Sequence, residues 1–306
     1  MHRYSYYKTA ACTPNVSIGD PQANKEEILN CIQKLDSDTQ LVVFPELCIT
    51  GYTCQDLFYE HTLLNKAKQV LFEIVEELPE NLVTVLGLPL EIENKLYNCA
   101  AICFNHDILG IQVKTYIPSY NEFYETRWFS SASELKENTT FNFKNKKVPV
   151  SNHIVFKDTT TSACLGVEIC EDLWVTIPVS STHALAGANV LCNVSASNEI
   201  ISKANYRRNL VKDQSAKCYA GYVYASAGPT ESSSDLVFSG HNLICENGTI
   251  LSETNTDKII YGQIDLDHLN HDRLHYKTSM QDLFHVNYTT VEFASKPIEE
   301  IEFDRY

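Results

Sequence analysis

Three segments of the chain each place one chemically reactive side chain where an apolar, strand-like run ends. Glu46, Lys114 and Cys170 each follow such a run within two residues. In α/β proteins, ligands bind at the carboxyl ends of the strands. These three positions are therefore the first place to look for chemistry.

Glu46 is a carboxylate that follows a continuously apolar run and precedes a glycine turn at Gly51. A carboxylate held at a strand end against apolar walls suits general-base work. Taken alone, the same residue could be a loop carboxylate that caps the following turn, which is common for acids at strand ends.

Lys114 closes an apolar strand and enters a loop that contains Pro118 and several aromatic residues. A lysine placed there could stabilise negative charge that develops on a substrate oxygen. A lone lysine is also often a surface residue, whose aliphatic stem packs on apolar neighbours while its ammonium reaches water. The residue type alone leaves both interpretations open.

Cys170 is followed by two acids, Glu171 and Asp172, and then by a bulky turn. This strand-to-turn layout can expose a nucleophile at the edge of a sheet. Positive charge and backbone N–H groups could ionise the thiol, and the N–H of Glu171 would point to where an oxyanion forms. Because the chain has eleven cysteines, a buried structural thiol is the simpler interpretation of this residue by itself.

Alternating strand-like and helix-like segments would position these residues. The alternation favours one layered α/β domain over two independent ones. The charged and polar segments 129–147 and 230–235 are typical of surface loops. Helices are expected at 20–35, 63–78, 180–188 and 201–219, and strands at 8–13, 41–44, 82–90, 96–104, 108–114, 163–170, 190–194, 222–225 and in a hairpin at 243–252.

Composition argues against several classes of protein. With 24 Lys and Arg against 39 Asp and Glu, the formal net charge is −15, which disfavours binding to nucleic acid and to anionic lipid. No apolar run approaches the ~18 residues of a membrane span, and residues 1–8 lack the apolar segment of a signal peptide. We therefore expect a cytoplasmic protein with no structural metal, whose cysteines are mostly small buried hydrophobes.

Taken together, the segments resemble the nitrilase superfamily of carbon–nitrogen hydrolases, whose active site is a Glu, Lys and Cys triad. Within that superfamily, the sequence is most similar to the glutamine-hydrolysing domains of glutamine-dependent NAD synthetases. The resemblance runs from about Lys8 to about Leu274. The motifs that carry it are Phe44-Pro45-Glu46-Leu47 with Gly51-Tyr52 and Asp56-Leu57-Phe58, Lys114 through Phe129, Gly166 through Trp174, Asn193 through Ser197, and Asp235 through Gly240.

The resemblance implies a fold and a division of the chain. The expected fold is α/β, a four-layer α-β-β-α sandwich of the nitrilase type. Residues 1–275 would form the carbon–nitrogen hydrolase (glutaminase) domain. Residues 276–306 would form a C-terminal tail or the start of a linker to an absent synthetase domain.

The resemblance also assigns roles to site residues. Glu46 would be the general base, Cys170 the nucleophile and Lys114 the residue that stabilises the oxyanion. Glu125 is similar to the family's second glutamate, which orients the lysine and the substrate amide. The residues of the glutamine pocket would be Tyr120, Phe123, Glu171, Ser197 and Lys203.

The chain departs from this branch of the superfamily at a few pocket positions. Tyr120 follows Ser119 where the family often has Asn. Ser239 and His241 stand where the branch often has Asp and a different residue. These departures concern the details of the pocket and leave the chemistry of the triad unchanged.

The implied reaction is hydrolysis of the glutamine side-chain amide to glutamate and ammonia through a cysteine thioester, with no metal or organic cofactor. ATP and Mg would act only at the synthetase half, whose phosphate loop reads roughly Ser-Gly-Gly-x-Asp-Ser; the run Ser232-Ser233-Ser234-Asp235 lacks those glycines. Expected partners are glutamine, other copies of this chain in a homo-oligomer, and a synthetase domain or chain. Two other functions stay open, a free-standing amidase acting on a small ω-amide and a catalytically silent oligomerisation scaffold.

Overall fold

The computed structural model describes residues 5–254, 257–281 and 285–296. These residues form two large sheets, a short hairpin and α-helices. The strands are β1 (Tyr6–Cys12), β2 (Leu41–Val43), β3 (Val83–Ile92), β4 (Lys95–Phe104), β5 (Asp107–Val113), β6 (Ser119–Tyr120), β7 (Phe123–Tyr124), β8 (Thr140–Phe143), β9 (Lys146–Ser151), β10 (Ile154–Asp158), β11 (Cys164–Ile169), β12 (Val190–Ser195), β13 (Gly221–Ser226), β14 (Leu243–Glu246), β15 (Thr249–Glu253), β16 (Ile259–Asp265) and β17 (Thr289–Phe293). The helices are α1 (Pro21–Gln33), α2 (His61–Glu77), α3 (Val179–Leu185), α4 (Lys203–Lys217) and α5 (Leu266–His275).

The two large sheets pack face to face. The eight-stranded sheet has the order β16-β1-β2-β3-β4-β5-β9-β8, and the seven-stranded sheet has the order β15-β14-β13-β12-β11-β10-β17. Buried side chains of both sheets, among them Val43, Ile102, Val167 and Val194, form the core between them. Helices α1 and α2 pack on the outer face of the first sheet, and α3 and α4 on that of the second. The expected four-layer α-β-β-α sandwich is confirmed.

Strand β2 shows why a continuously apolar run takes a central place in this sandwich. Leu41 and Val43 belong to the core between the sheets, whereas Val42 belongs to the core under α1 and α2. Successive side chains of a strand point to opposite faces. Because both faces are covered, every position of β2 is apolar.

Each helix buries one side. In α1, the Asp20 side chain accepts a hydrogen bond from Ala23 N at 3.1 Å and Pro21 occupies the first turn, as the sequence predicts. Ile28 and Ile32, one turn apart, are buried in the core of the first sheet. No helix among the described residues is long and apolar enough to cross a membrane.

The prediction of a surface loop at 129–147 is wrong for its second half. This part of the chain contains β8 and the start of β9, which extend the first sheet at its edge. Phe141 and Phe143 of β8 are buried and alternate with exposed polar residues. The Phe143 ring packs 5.0 Å from that of Phe72 on α2, so the apolar half of the alternation anchors the strand.

Part of the expected tail, 276–306, belongs to the second sheet. Strand β17 pairs in parallel with β10 over five residues. The Phe293 ring lies 5.0 Å from the ring of Phe104 and fills the core between the sheets. The division of the chain at residue 275 stays a prediction, and the acidic stretch 299–304 lies outside the described residues.

The strand directions bring several carboxyl ends to one end of the sandwich. Strands β1, β2 and β3 are parallel, and β5 runs the same way as β3 because both are antiparallel to β4. In the second sheet, β11, β12 and β13 are parallel. The segments that follow β2, β5, β11 and β12 can therefore meet at one edge.

Candidate active site

Glu46, Lys114 and Cys170 follow β2, β5 and β11, and hydrogen bonds between the two sheets hold these strand ends together. The Glu46 carboxylate accepts a hydrogen bond from Ala196 N, just after β12, at 2.9 Å. The Asp172 carboxylate accepts from two backbone N–H groups of the loop after Lys114, at 3.0 and 2.9 Å. The structure thus brings the three predicted residues to one place.

A buried ion cluster of Lys114, Glu46 and Glu125 forms the centre of the site. The Lys114 ammonium donates to Glu46 Oε1 at 2.6 Å and to both Glu125 oxygens at 2.8 Å, and none of the three side chains is more than 2% exposed. Burial by itself would lower the pKa of Lys114, but the negative charges of Glu125 and Glu46 outweigh it and raise that pKa well above its ordinary value. Lys114 is therefore a fixed cation, which suits it to hold negative charge on an oxygen.

Two residues to which the sequence assigned no role complete this ion cluster. Asn98 Nδ2 donates to Glu46 Oε1 at 2.6 Å, and the Tyr52 hydroxyl donates to Glu125 Oε1 at 2.7 Å. Burial raises the pKa of Glu125, although Lys114 opposes the shift. The signal for Asn98 was a polar residue inside the apolar strand β4, and Tyr52 follows the glycine turn after the Glu46 segment.

Cys170 lies on a strained turn directly after β11. Its φ is +46°, a left-handed conformation that costs a residue with a side chain of order 1–3 kcal/mol. Asp172 fixes the turn, because its Oδ2 accepts from Ile169 N at 3.1 Å while its Oδ1 holds the loop after Lys114. Cys170 is only 6% exposed.

The surroundings of Cys170 disfavour its ionisation, although Lys114 supplies the nearby positive charge that the sequence led us to expect. Burial raises the pKa of Cys170 well above its ordinary value, the charge of Glu46 raises it further, and Lys114 opposes the shift without cancelling it. Two carboxylates share the single ammonium of Lys114, so little of its charge is left to stabilise a thiolate. Activation of this thiol therefore requires a base.

Three of the five residues predicted to form the glutamine pocket, Tyr120, Glu171 and Lys203, lie within electrostatic reach of the ion cluster or of Cys170. The Tyr120 hydroxyl donates to the Glu171 carboxylate at 2.9 Å, and the Lys203 ammonium lies 5.5 Å from the centre of the Phe123 ring. Ser197 is buried two residues beyond the end of β12. Burial raises the pKa of Glu171 and lowers that of Lys203. A ligand that carries both charges would oppose both shifts.

A narrow cleft opens beside Glu125, lined by aromatic rings and by Ser233. The segment 230–235, predicted as a surface loop, is anchored here. Glu231 is fully buried and its carboxylate accepts from Tyr52 N at 2.6 Å. Burial raises the pKa of Glu231 to about 8.

The other cysteines of the chain support packing. All eleven are free thiols, and all except the half-buried Cys164 are buried, which confirms the prediction of small buried hydrophobes. Within residues 5–254, 257–281 and 285–296, no group of three His, Cys, Asp or Glu side chains could hold a metal ion. Cys170 differs from the other thiols by the ion cluster beside it.

Comparison with known proteins places this arrangement in a family. The carbon-nitrogen hydrolase family matches residues 8–273. A glutamine-dependent NAD(+) synthetase of Mycobacterium tuberculosis is 38% identical over 256 residues, which are 83% of this chain and 37% of that protein. The chain thus spans little more than a third of the length of this relative.

Solved structures agree with the family match. The glutamine-dependent NAD(+) synthetase from Cytophaga hutchinsonii has a TM-score of 0.74 at 29% identity, over 85% of this chain and 43% of that one. A carbon-nitrogen hydrolase from Helicobacter pylori has a TM-score of 0.71 at 18% identity, over 91% and 96% of the two chains, and this likeness concerns the fold alone. By the match over residues 8–273 and by its fold, this chain belongs to the carbon–nitrogen hydrolases of the nitrilase superfamily.

Proposed function

We propose that this chain is a glutaminase, which hydrolyses the side-chain amide of glutamine to glutamate and ammonia through a thioester on Cys170. The observation that carries the proposal is the buried pairing of Lys114 with Glu46 and Glu125 beside the thiol. The similarity to glutamine-dependent NAD(+) synthetases supports glutamine as the substrate. The ammonia would then serve an ATP-dependent synthetase domain or chain that converts deamido-NAD to NAD.

Acylation begins when Glu46 takes the proton of the Cys170 thiol. The sulfur attacks the amide carbon, and the carbonyl oxygen becomes negatively charged. The Lys114 ammonium and the N–H of Glu171 stabilise that oxyanion. Glu46 returns its proton to the amide nitrogen, the C–N bond breaks, and ammonia leaves behind a thioester.

Deacylation uses the same groups in the same order. Glu46 takes a proton from water, the water oxygen attacks the thioester carbon, and Lys114 again stabilises the oxyanion. The C–S bond breaks, the proton on Glu46 returns to the Cys170 sulfur, and glutamate leaves. Glu125 holds Lys114 in place. The reaction requires no metal or organic cofactor, and ATP and Mg belong to the synthetase reaction.

The charges of the pocket favour an amino acid over a neutral amide. Glu171 offers a carboxylate to the α-ammonium group of glutamine, and Lys203 offers an ammonium to its α-carboxylate. Both residues are half-buried, so an ion pair formed with the substrate is screened less than one at the surface.

The test compares glutamine with butyramide, which has the same amide and carbon chain but neither charged group. We expect kcat/KM for ammonia release to be at least ~10²-fold higher for glutamine, because the unligated pocket charges stay unpaired with butyramide. Equal values would instead support a free-standing amidase that acts on small ω-amides.

Covalent trapping distinguishes both enzymes from a silent scaffold. A diazoketone analogue of glutamine should add to Cys170, as peptide mass spectrometry would show. The Cys170→Ala variant should fold, release no ammonia and take up no label, and Cys164→Ala serves as the matched control because Cys164 is the most exposed thiol. Absence of both ammonia release and labelling in the wild type would support a catalytically silent oligomerisation scaffold.

A further inference from the structure

Among the side chains that the structure describes, Arg207 is the largest that is fully buried. Its Nε and Nη2 donate to Ser197 Oγ at 3.3 and 3.2 Å, and Nη2 also donates to the Asn198 carbonyl oxygen at 2.9 Å. Its Nη1 donates to Glu199 Oε2 at 3.2 Å and lies 2.8 Å from His241 Nδ1. All five N–H groups of the guanidinium thus have an acceptor, provided that His241 accepts one of them.

These contacts decide the charge state of His241. A guanidinium has donors and no acceptor, so Nδ1 of His241 accepts from Arg207 and carries no hydrogen. Nε2 of His241 lies 2.7 Å from Glu253 Oε1 and therefore carries the hydrogen that it donates. The imidazole is neutral, and a second proton, on Nδ1, would point at a buried cation.

Arg207 fixes a part of the pocket that no strand fixes. Strand β12 ends at Ser195, so Ser197 and Asn198 lie beyond the last strand pairing. The side chain of Asn198 in turn accepts a hydrogen bond from the Lys203 ammonium. Arg207 thereby holds one of the predicted pocket residues, Ser197, and the partner of another, Lys203.

We propose that His241 is a positioning residue for substrate binding. Its neutral imidazole keeps Arg207 against Ser197 and Asn198, and its protonation releases Arg207 and weakens the binding of glutamine. The inference rests on the proposed function and names a residue that tunes its pocket. The contacts of Arg207 with His241, Ser197 and Asn198 are called the Arg207 latch below.

The groups around His241 set the direction of the pH effect. Arg207 and Arg208 bring positive charge from α4, Glu253 brings negative charge from β15, and Glu199 brings it from the loop after β12. Burial lowers the pKa of His241, the bond to Glu253 opposes this shift, and the two arginines add to it. The Arg207 latch therefore stays closed at neutral pH and opens as the pH falls below the ordinary histidine range.

The kinetic test compares the wild type with His241→Asn and His241→Leu. Asn places an acceptor oxygen near the position of Nδ1 and cannot be protonated, whereas Leu leaves a buried N–H of Arg207 unpaired. Between about pH 7.5 and about pH 5, we expect KM for glutamine to rise at least threefold more in the wild type than in His241→Asn. His241→Leu should have a KM raised about tenfold at every pH, with kcat within about threefold of the wild type, since the ion cluster has its own contacts.

Nitrogen-15 NMR of histidine-labelled protein tests the Arg207 latch without substrate. The His241 signal, assigned by its loss in His241→Asn, should show the Nε2–H tautomer and titrate below about 6.5. An Nδ1–H tautomer, a higher midpoint, or equal pH profiles of KM in the wild type and His241→Asn would overturn the proposal.

If the wild type releases no ammonia from glutamine, the proposed function fails, and the NMR result still decides whether the Arg207 latch exists. If His241→Leu does not fold, His241→Asn and the NMR titration decide.

Discussion

At the scale of single residues, the main feature of the site is that the one ammonium of Lys114 pairs with two carboxylates. Lys114 lies within 2.8 Å of the carboxylates of Glu46 and Glu125, so the ion cluster keeps one net negative charge when both are ionised. Ionising Cys170 without a base would add a second negative charge to a buried site, which is costly. Transfer of the thiol proton to Glu46 moves the negative charge without adding one. The burial of Cys170 is therefore compatible with the proposed role of Glu46 as general base.

Glu46→Gln should separate the ionisation of Cys170 from catalysis. Removing the Glu46 charge lowers the pKa of the Cys170 thiol, because a neighbouring negative charge disfavours the thiolate. The pH midpoint of Cys170 alkylation by iodoacetamide should therefore move to lower pH, with Cys164 in the same sample as the control. Turnover should nevertheless fall by at least ~10²-fold, since the base is gone. A midpoint that moves upward, or turnover above a tenth of the wild type, would mean that the triad is misassigned.

Lys114→Met should lower turnover by at least ~10²-fold, the usual effect of losing an oxyanion donor, while glutamine binding stays detectable by calorimetry. The variant leaves two buried carboxylates without their cation, so the free energy of unfolding at pH 7 should fall by about 3–5 kcal/mol. Adding Glu125→Gln removes one of the two charges and should restore part of that stability in urea unfolding. Recovery of turnover in the double variant would contradict the role of Lys114 at the oxyanion.

At the scale of elements, Asp172 clamps the end of β5 to the turn after β11 by accepting three backbone hydrogen bonds. Asn keeps one acceptor oxygen and Ala keeps none, and each buried donor left unpaired costs about 1–3 kcal/mol. The free energy of unfolding in urea should therefore fall from wild type to Asp172→Asn to Asp172→Ala, and kcat should fall in the same order.

Asp158→Ala is the matched control, because Asp158 also accepts from backbone N–H groups but stands at the end of β10, opposite the start of β11. It should destabilise the fold and leave kcat of the folded enzyme unchanged, and an equal loss of kcat in both series would refute a local role for the clamp.

Among the strands that the sequence predicts are several whose two faces are both buried. Strands β2, β11 and β12 lie inside the sheets, so their runs are almost continuously apolar and only their ends differ from the prediction by a few residues. Strands β8 and β17 lie at sheet edges, where they are partly exposed, and the runs 140–143 and 289–293 mix polar with apolar residues. Such short, mixed runs have the composition of loops, which is why they were not predicted.

The same contrast holds within the site. Glu46, Lys114 and Cys170 could be predicted, because each ends a strand and stands in a family motif. The parts played by Asn98 and Arg207 could not, because they arise from hydrogen bonds between residues 52 and 34 positions apart in the sequence, to Glu46 and His241. Such contacts form only once the chain has folded, so they cannot be recognised in a single sequence.

At the scale of the whole molecule, the site exists only when both sheets are packed together. Glu46 and Lys114, the proposed base and oxyanion donor, come from the first sheet, whereas Cys170 and Ser197 come from the second. The core between the sheets holds the two halves in register. Loss of packing in that core separates Glu46 from Cys170, so ammonia release and native circular dichroism are expected to disappear in one urea transition.

Without a synthetase partner, the chain should hydrolyse glutamine slowly and independently of ATP. Free ammonia is lost to solvent unless a second site consumes it, so a glutaminase that serves a synthetase is expected to stay subdued until the acceptor site is loaded. This chain matches 37% of the synthetase of Mycobacterium tuberculosis, and its run 232–235 lacks the glycines of a phosphate-binding loop. Adding ATP, Mg and deamido-NAD should therefore leave ammonia release unchanged and yield no NAD, with the mycobacterial synthetase assayed in parallel. An ATP-dependent product would reveal a nucleotide site within these 306 residues. Turnover as fast as that of the loaded synthetase would show that the restraint either lies within this chain or does not exist.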